Sequence, residues 1–155
     1  MRIPKLTVAV LAVSAIAAGG AVALTSASGA SSAGTLTFTA RPSSGTPVDL
    51  GPKGTSIGDQ FLESGTLRSS AGGRKGHFEL TSQLVSGNER HGTEASSIML
   101  HLKRGEIVAT GGHGLSERYV LPVVGGSGRY AGAGGTFRIS PGKGESTRLA
   151  IVLTR

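Results

Sequence analysis

From Thr35 onward the chain is a succession of short stretches in which apolar and polar residues alternate, cut apart by glycine-rich punctuation, with no apolar stripe at helical spacing. A period of two sends successive side chains to opposite faces of a sheet, so this pattern excludes a helical fold and calls for half-buried strands. TLTFTAR (35–41) sets Leu36 and Phe38 against threonines, and KGHFELTSQLV (75–85) puts Phe78, Leu80 and Leu84 opposite His77, Glu79, Thr81 and Gln83. SIGDQFLESGTL (56–67) is a third two-faced run, and SSIMLHLKRGEIVATGG (96–112) is the clearest hairpin, turning at Lys103-Arg104-Gly105-Glu106. With RYVLPVV (118–124), GTFRIS (135–140) and TRLAIVLTR (147–155) the count reaches eight strands, joined by short connections except for a loop at 42–55. Eight consecutive strands predict an all-β, antiparallel meander closed into a barrel, because closure removes both exposed edges; an open sandwich is the structural alternative. A barrel of eight strands is filled by side chains or encloses one small ligand, and Phe61, Leu80, Leu100, Leu121 and Ile151 are the expected apolar lining.

The densest punctuation is VVGGSGRYAGAGGTF (123–137), six glycines in fifteen residues. Gly126, Gly128 and Ala131 satisfy a G-x-G-x-x-[GA] spacing after an apolar strand, but that motif needs a helix whose N-terminal amides hold the phosphates. GAGGTFRIS follows instead, and the Lys and Ser/Thr of a P-loop are absent. Ser127 lacks the second glycine of a nucleophile elbow. The stretch therefore reads as a corner between two strands, with positive φ expected among Gly126, Gly128 and Gly135. Tyr130 is expected to plug the adjacent barrel end.

The first residues stand apart. A basic head, MRIPK, precedes the 19-residue uncharged stretch LTVAVLAVSAIAAGGAVAL, the pattern of a secretory signal. Cleavage is expected after Ala23, Ala27 or Ala30, so residues 1–30 are assigned to the signal and cleavage region, 31–34 to a flexible linker and 35–155 to the folded domain. The expected destination is extracellular or the cell envelope, without stable membrane insertion after cleavage. The chain has no cysteine, which excludes disulfides, thiol catalysis and a lipoprotein anchor. Its net charge of +7 falls to about +5 once Arg2 and Lys5 leave with the signal. The remaining basic residues are dispersed and aromatics are few, so a nucleic-acid partner is not expected.

VVGGSGRYAGAGGTFRI resembles the glycine-rich signature V-x-G-G-[ST]-G-x-[FY]-x-x-[AV]-x-G shared by plant allene oxide cyclases and dirigent proteins, here carried by Gly125, Gly126, Gly128, Tyr130 and Gly135. IGDQFLESGTLRSSAGGRKGHFELTSQLV and the hairpin SSIMLHLKRGEIVATGG resemble the second to fifth strands of that family, so the likeness spans about residues 35–155. It implies a calycin-like eight-stranded barrel, an often trimeric assembly, and a small hydrophobic or aromatic ligand held in one conformer for stereocontrolled cyclisation or coupling. Bacterial barrels of this type serve as cyclases, and the implied activity is of isomerase or cyclase type, with no cofactor. The cyclase pattern carries a first-strand glutamate and the dirigent pattern a nearby aspartate; LTFTA stands there, and no carboxylate occurs between Thr35 and Pro47.

With that acid missing, Glu79, His101 and Glu63 are the mid-strand polar residues available as catalytic groups, and whether they face inward decides the matter. Asp59, after Gly58, is expected to tie down turn amides. The histidines at 77, 91, 101 and 113 show no H-x-x-x-H spacing, and no metal site is expected from it. Two functions remain open: a ligand-orienting barrel, which needs a cavity of several hundred cubic ångströms, and a non-catalytic structural or interaction module of the cell envelope on the same barrel.

Overall fold

The alternating runs form a closed antiparallel barrel in which every strand pairs with its neighbours in sequence and the last returns to the first. The computed structural model describes residues 32–88 and 90–154; the expected signal lies outside them. The strands are β1 (Ser32–Val48), β2 (Gln60–Arg68), β3 (Arg74–Gly87), β4 (Gly92–Leu102), β5 (Gly105–Gly114), β6 (Tyr119–Gly126), β7 (Gly134–Pro141) and β8 (Thr147–Thr154). Closure is made by β1 against β8, from Ser32 opposite Thr154 to Ala40 opposite Thr147.

Past Ala40, β1 leaves β8 but stays on β2, through a register shift between Pro42 and Ser44, until Val48 faces Gln60. Residues 42–48, expected as loop, are therefore strand. Two prolines are tolerated there because β1 is paired on one side only, where a missing N–H breaks no second ladder. The connection that remains is held by Asp59, whose carboxylate accepts hydrogen bonds from the amides of Ser56 (2.7 Å) and Leu50 (3.1 Å) and from the Ser56 hydroxyl (3.1 Å).

One half of the interior is packed solid. Leu67, Leu100, Ile107, Leu121, Phe137 and Ile151 are buried there, and partly buried Tyr130 packs against them. Closing that end is the glycine stretch, which makes a 3-10 turn over Gly128–Tyr130 and rests on the β4–β5 hairpin through a hydrogen bond from the Arg129 amide to the Arg104 carbonyl (2.8 Å). The turn needs its glycines. Gly128 and Gly135 have φ of 57° and 131°, where side-chain-bearing residues are strained, and a Cβ on Gly126 would run into the Glu106 carbonyl oxygen. Around Gly125 there is open space.

At the other end the barrel is open. Here the β5–β6 seam parts: Ile107, Val108 and Ala109 pair with β6, whereas the GGHG end of β5 pairs only with β4. Pro122, which has no ladder N–H to give, sits against Gly111 at this parting.

Candidate functional site

The open end leads into a cavity of about 540 Å³, within the size range of small-molecule sites. Its apolar wall includes Phe61, Phe78, Leu80, Leu84, Ile98 and Leu149, and its mouth is formed by loop residues including Arg90, Leu115, Glu117 and Glu145. Of the five apolar positions expected to line the interior, Phe61 and Leu80 do so. Leu100, Leu121 and Ile151 also point inward but belong to the filled half.

Among the polar residues that come inward with the apolar ones and line the cavity are Glu63 on β2, Glu94 on β4 and Tyr119 on β6. Strand parity puts them there. Glu94 lies on the same face of β4 as Ser96, Ile98 and Leu100, all buried, and Glu63 shares its face of β2 with Gly65 and Leu67. The same parity sends Glu79 and His101 away from the cavity, because Phe78, Leu80 and Leu100 occupy the inward positions beside them. Glu79 is 62% exposed and His101 lies against it on the outer wall, so of the three catalytic candidates read from the sequence only Glu63 reaches the interior.

Glu94 heads a cluster whose proton positions follow from one backbone carbonyl. His113 Nδ1 lies 2.9 Å from the Gly114 carbonyl oxygen, which only accepts, so Nδ1 carries the proton. In the neutral ring Nε2 is then an acceptor, and the Ser96 hydroxyl donates to it at 2.8 Å. Ser96 Oγ, having spent its proton, accepts from Ser82 Oγ at 2.8 Å. The Tyr119 ring stacks on His113, centroids 3.6 Å apart.

The Glu94 carboxyl faces this cluster without joining it. Oε2 is 3.8 Å from His113 Nε2, beyond hydrogen-bond reach, and Oε1 is buried with no hydrogen-bond partner among the described residues. Burial without compensation pushes the acid up to about 8, and the same desolvation lowers the His113 imidazole, with the Gly114 hydrogen bond acting in the opposite sense. Both groups are therefore neutral at pH 7. Burial, and the charge that Glu94 carries once it ionises at higher pH, also raise the Tyr119 phenol above its ordinary range. The cavity is thus lined by a protonated carboxylic acid and a phenol, with the neutral imidazole and the buried serine pair packed beside them.

No protein-family model matches the chain, and no curated protein matches its sequence. Among solved structures, the fold resembles a pyocyanin demethylase, with a TM-score of 0.71 at 21% identity over 77% of this chain and 99% of that one. It also resembles AbnU, an exo-specific intermolecular Diels-Alderase (TM-score 0.64, 16% identity, 78% of this chain and 97% of that one). A third is the pterocarpan synthase dirigent protein GePTS1 (0.58, 12%, 78% and 82%). The chain shares with these structures the closed eight-stranded antiparallel barrel that the glycine signature implied.

Proposed function

We propose that the barrel binds a small, uncharged, largely apolar or aromatic molecule carrying a carbonyl or similar acceptor, and holds it in one conformer for cyclisation or a related isomerisation. The observation that carries this reading is Glu94: a buried acid, protonated at neutral pH, with one oxygen that has no hydrogen-bond partner among the described residues, beside the apolar wall of the cavity it lines. A neutral carboxylic acid in such a place donates a strong hydrogen bond to an acceptor that gains negative charge as bonds reorganise. It also supplies a proton at a pKa near the working pH. Glu94 stands where the missing first-strand acid leaves a vacancy in chemistry, though on a different strand. The apolar wall contributes orientation, which lowers a unimolecular barrier by removing unproductive conformers. Among the described lining residues Arg90, at the mouth, is the one cation, which disfavours an anionic ligand.

A panel of hydrophobic ketones, quinones and their deoxygenated analogues, titrated by fluorescence or calorimetry, tests this. The oxygenated members should bind more tightly than the analogues, and Tyr119→Phe and Glu94→Ala should narrow the difference. No binding by any member, or equal affinity for both sets in the unaltered protein, overturns the reading and leaves the interaction module in its place. We further propose that the protein acts after export: the mass of the secreted form should correspond to a start between residues 24 and 31. Self-association, implied by the family resemblance, has a surface to use in the outer faces of β6 and β8, where Val120, Val124 and Val152 are exposed.

A further inference from the structure

We infer that the outer wall of the barrel carries a binding site for a divalent transition cation of the zinc type, made by His77, Glu79 and His101 and separate from the cavity. His77 and His101 are directly opposed across the β3–β4 ladder, and their rings stack with centroids 4.2 Å apart. Glu79 follows two residues after His77 on the same face of β3, so its carboxylate comes to the same spot. One ligand atom from each of the three lies within 4.8 Å of the others. In a tetrahedral zinc site, with metal–ligand bonds of about 2.0–2.2 Å, ligand atoms are roughly 3.3 Å apart. His77 and Glu79 are surface side chains able to make that adjustment by turning.

The second observation concerns how His101 is held. Its Nδ1 lies 2.9 Å from Glu106 Oε1; a carboxylate only accepts, so Nδ1 carries the proton and donates, which leaves the lone pair of the neutral ring on Nε2. That Nε2 is buried and has no hydrogen-bond partner among the described residues; its nearest carboxylate oxygen, Glu79 Oε1, is 3.8 Å away. Glu106 is in turn anchored by Ser127, whose hydroxyl donates to Oε2 (3.3 Å) and accepts from the Glu106 amide (3.2 Å). A carboxylate that orients an imidazole from behind is the usual companion of a metal-bound histidine. Two imidazoles and one carboxylate suit zinc and its transition-metal neighbours and are too few and too nitrogen-rich for calcium or magnesium. The fourth position opens to solvent, where water or a donor from another molecule completes the set. Linear spacing gives no hint of this site, since its ligands come from two strands.

Isothermal titration of the folded protein with zinc chloride tests it, with calcium chloride as the control. One zinc per chain is expected, with no calcium heat. His77→Asn and His101→Asn should each abolish the site, and His91→Asn should leave it unchanged. Glu106→Gln, which touches no metal, should weaken zinc by about ten- to a hundred-fold. Thermal midpoints measured without metal establish that the variants fold; a variant that does not is replaced by its Gln counterpart. Zinc binding that survives His101→Asn, or is no tighter than calcium, overturns the site, and unchanged affinity in Glu106→Gln overturns the orienting role of Glu106.

Discussion

Glu94 and Asp59 are both almost wholly out of solvent, yet their surroundings move their acidities in opposite directions. Asp59 is held below its ordinary value chiefly by the Ser56 amide, with Leu50 and the Ser56 hydroxyl adding to it. Glu94 has no such donors, and burial takes it from 4.5 to about 8. A carboxyl raised in the folded state costs nothing while folded and unfolded chains both keep the proton, below about pH 4.5. Between that point and pH 8 the unfolded chain ionises and the folded one does not, so stability falls as pH rises, by up to about 1.4 kcal/mol per unit. Above pH 8 the loss is complete. Asp59 acts the other way, its contribution present above the ordinary carboxylate range and lost only as pH falls through its lowered value, so it is silent in the window where Glu94 speaks. His113, lowered in the fold, adds stability with rising pH only up to its ordinary 6.5 and is silent above it, so urea midpoints at pH 7, 7.5 and 8 should decline in the unaltered protein and stay nearly level in Glu94→Gln, the two differing by a few kcal/mol at pH 8. Parallel declines in both proteins would show that some other group is responsible.

At the scale of elements, the corner between β6 and β7 separates glycines that the fold requires from one that it does not. Gly135→Val imposes a side chain at φ 131° and drives its Cβ into the Val152 carbonyl oxygen; Gly126→Val collides with the Glu106 carbonyl oxygen. Each should cost more than the roughly 1 kcal/mol of an average substitution. Gly125→Ala meets open space and should change the thermal midpoint little. Tolerance of valine at both Gly126 and Gly135 would mean that the corner is not built this way. This corner was legible in the sequence because glycine density marks backbone geometry directly, and the strands were legible because alternation marks burial. Glu94 was not. GTEA, ahead of the hairpin, reads as a polar connection, and only the pairing of Gly92 with Gly87 and Glu94 with Leu84 shows that β4 begins there. Likewise PSSGTPV reads as loop because prolines and serines break a two-sided strand, and it becomes strand because one of its edges is unpaired. Glu79 and His101 show the converse: the alternation of KGHFEL already puts Glu79 opposite Phe78 and Leu80, but which face is interior is settled only when the barrel closes.

Over the whole molecule, the barrel divides its length between two tasks. Between the glycine corner and its middle it is filled, with Phe137, Leu100, Ile107 and Ile151 carrying the burial that stabilises the fold; from there to the open mouth it holds the cavity, where Ala40, Phe61 and Leu80 face empty space and Glu94. Close-packed interiors lose about 3–5 kcal/mol when a buried phenylalanine is cut to alanine, since the walls relax only in part. A cavity wall is different: enlarging a residue there fills space instead of displacing neighbours. Phe137→Ala should therefore lower stability by about 3–5 kcal/mol while any ligand of the cavity keeps its affinity at temperatures where the variant is folded. Leu80→Trp should do the reverse, abolishing ligand binding while costing well under the ~3–5 kcal/mol of Phe137→Ala, because the added volume enters the cavity. Chemical denaturation and ligand titration on the two variants read the two properties independently. If Leu80→Trp unfolds the barrel as severely as Phe137→Ala, the open half is part of the packed core, and the ligand-orienting function loses the space it depends on.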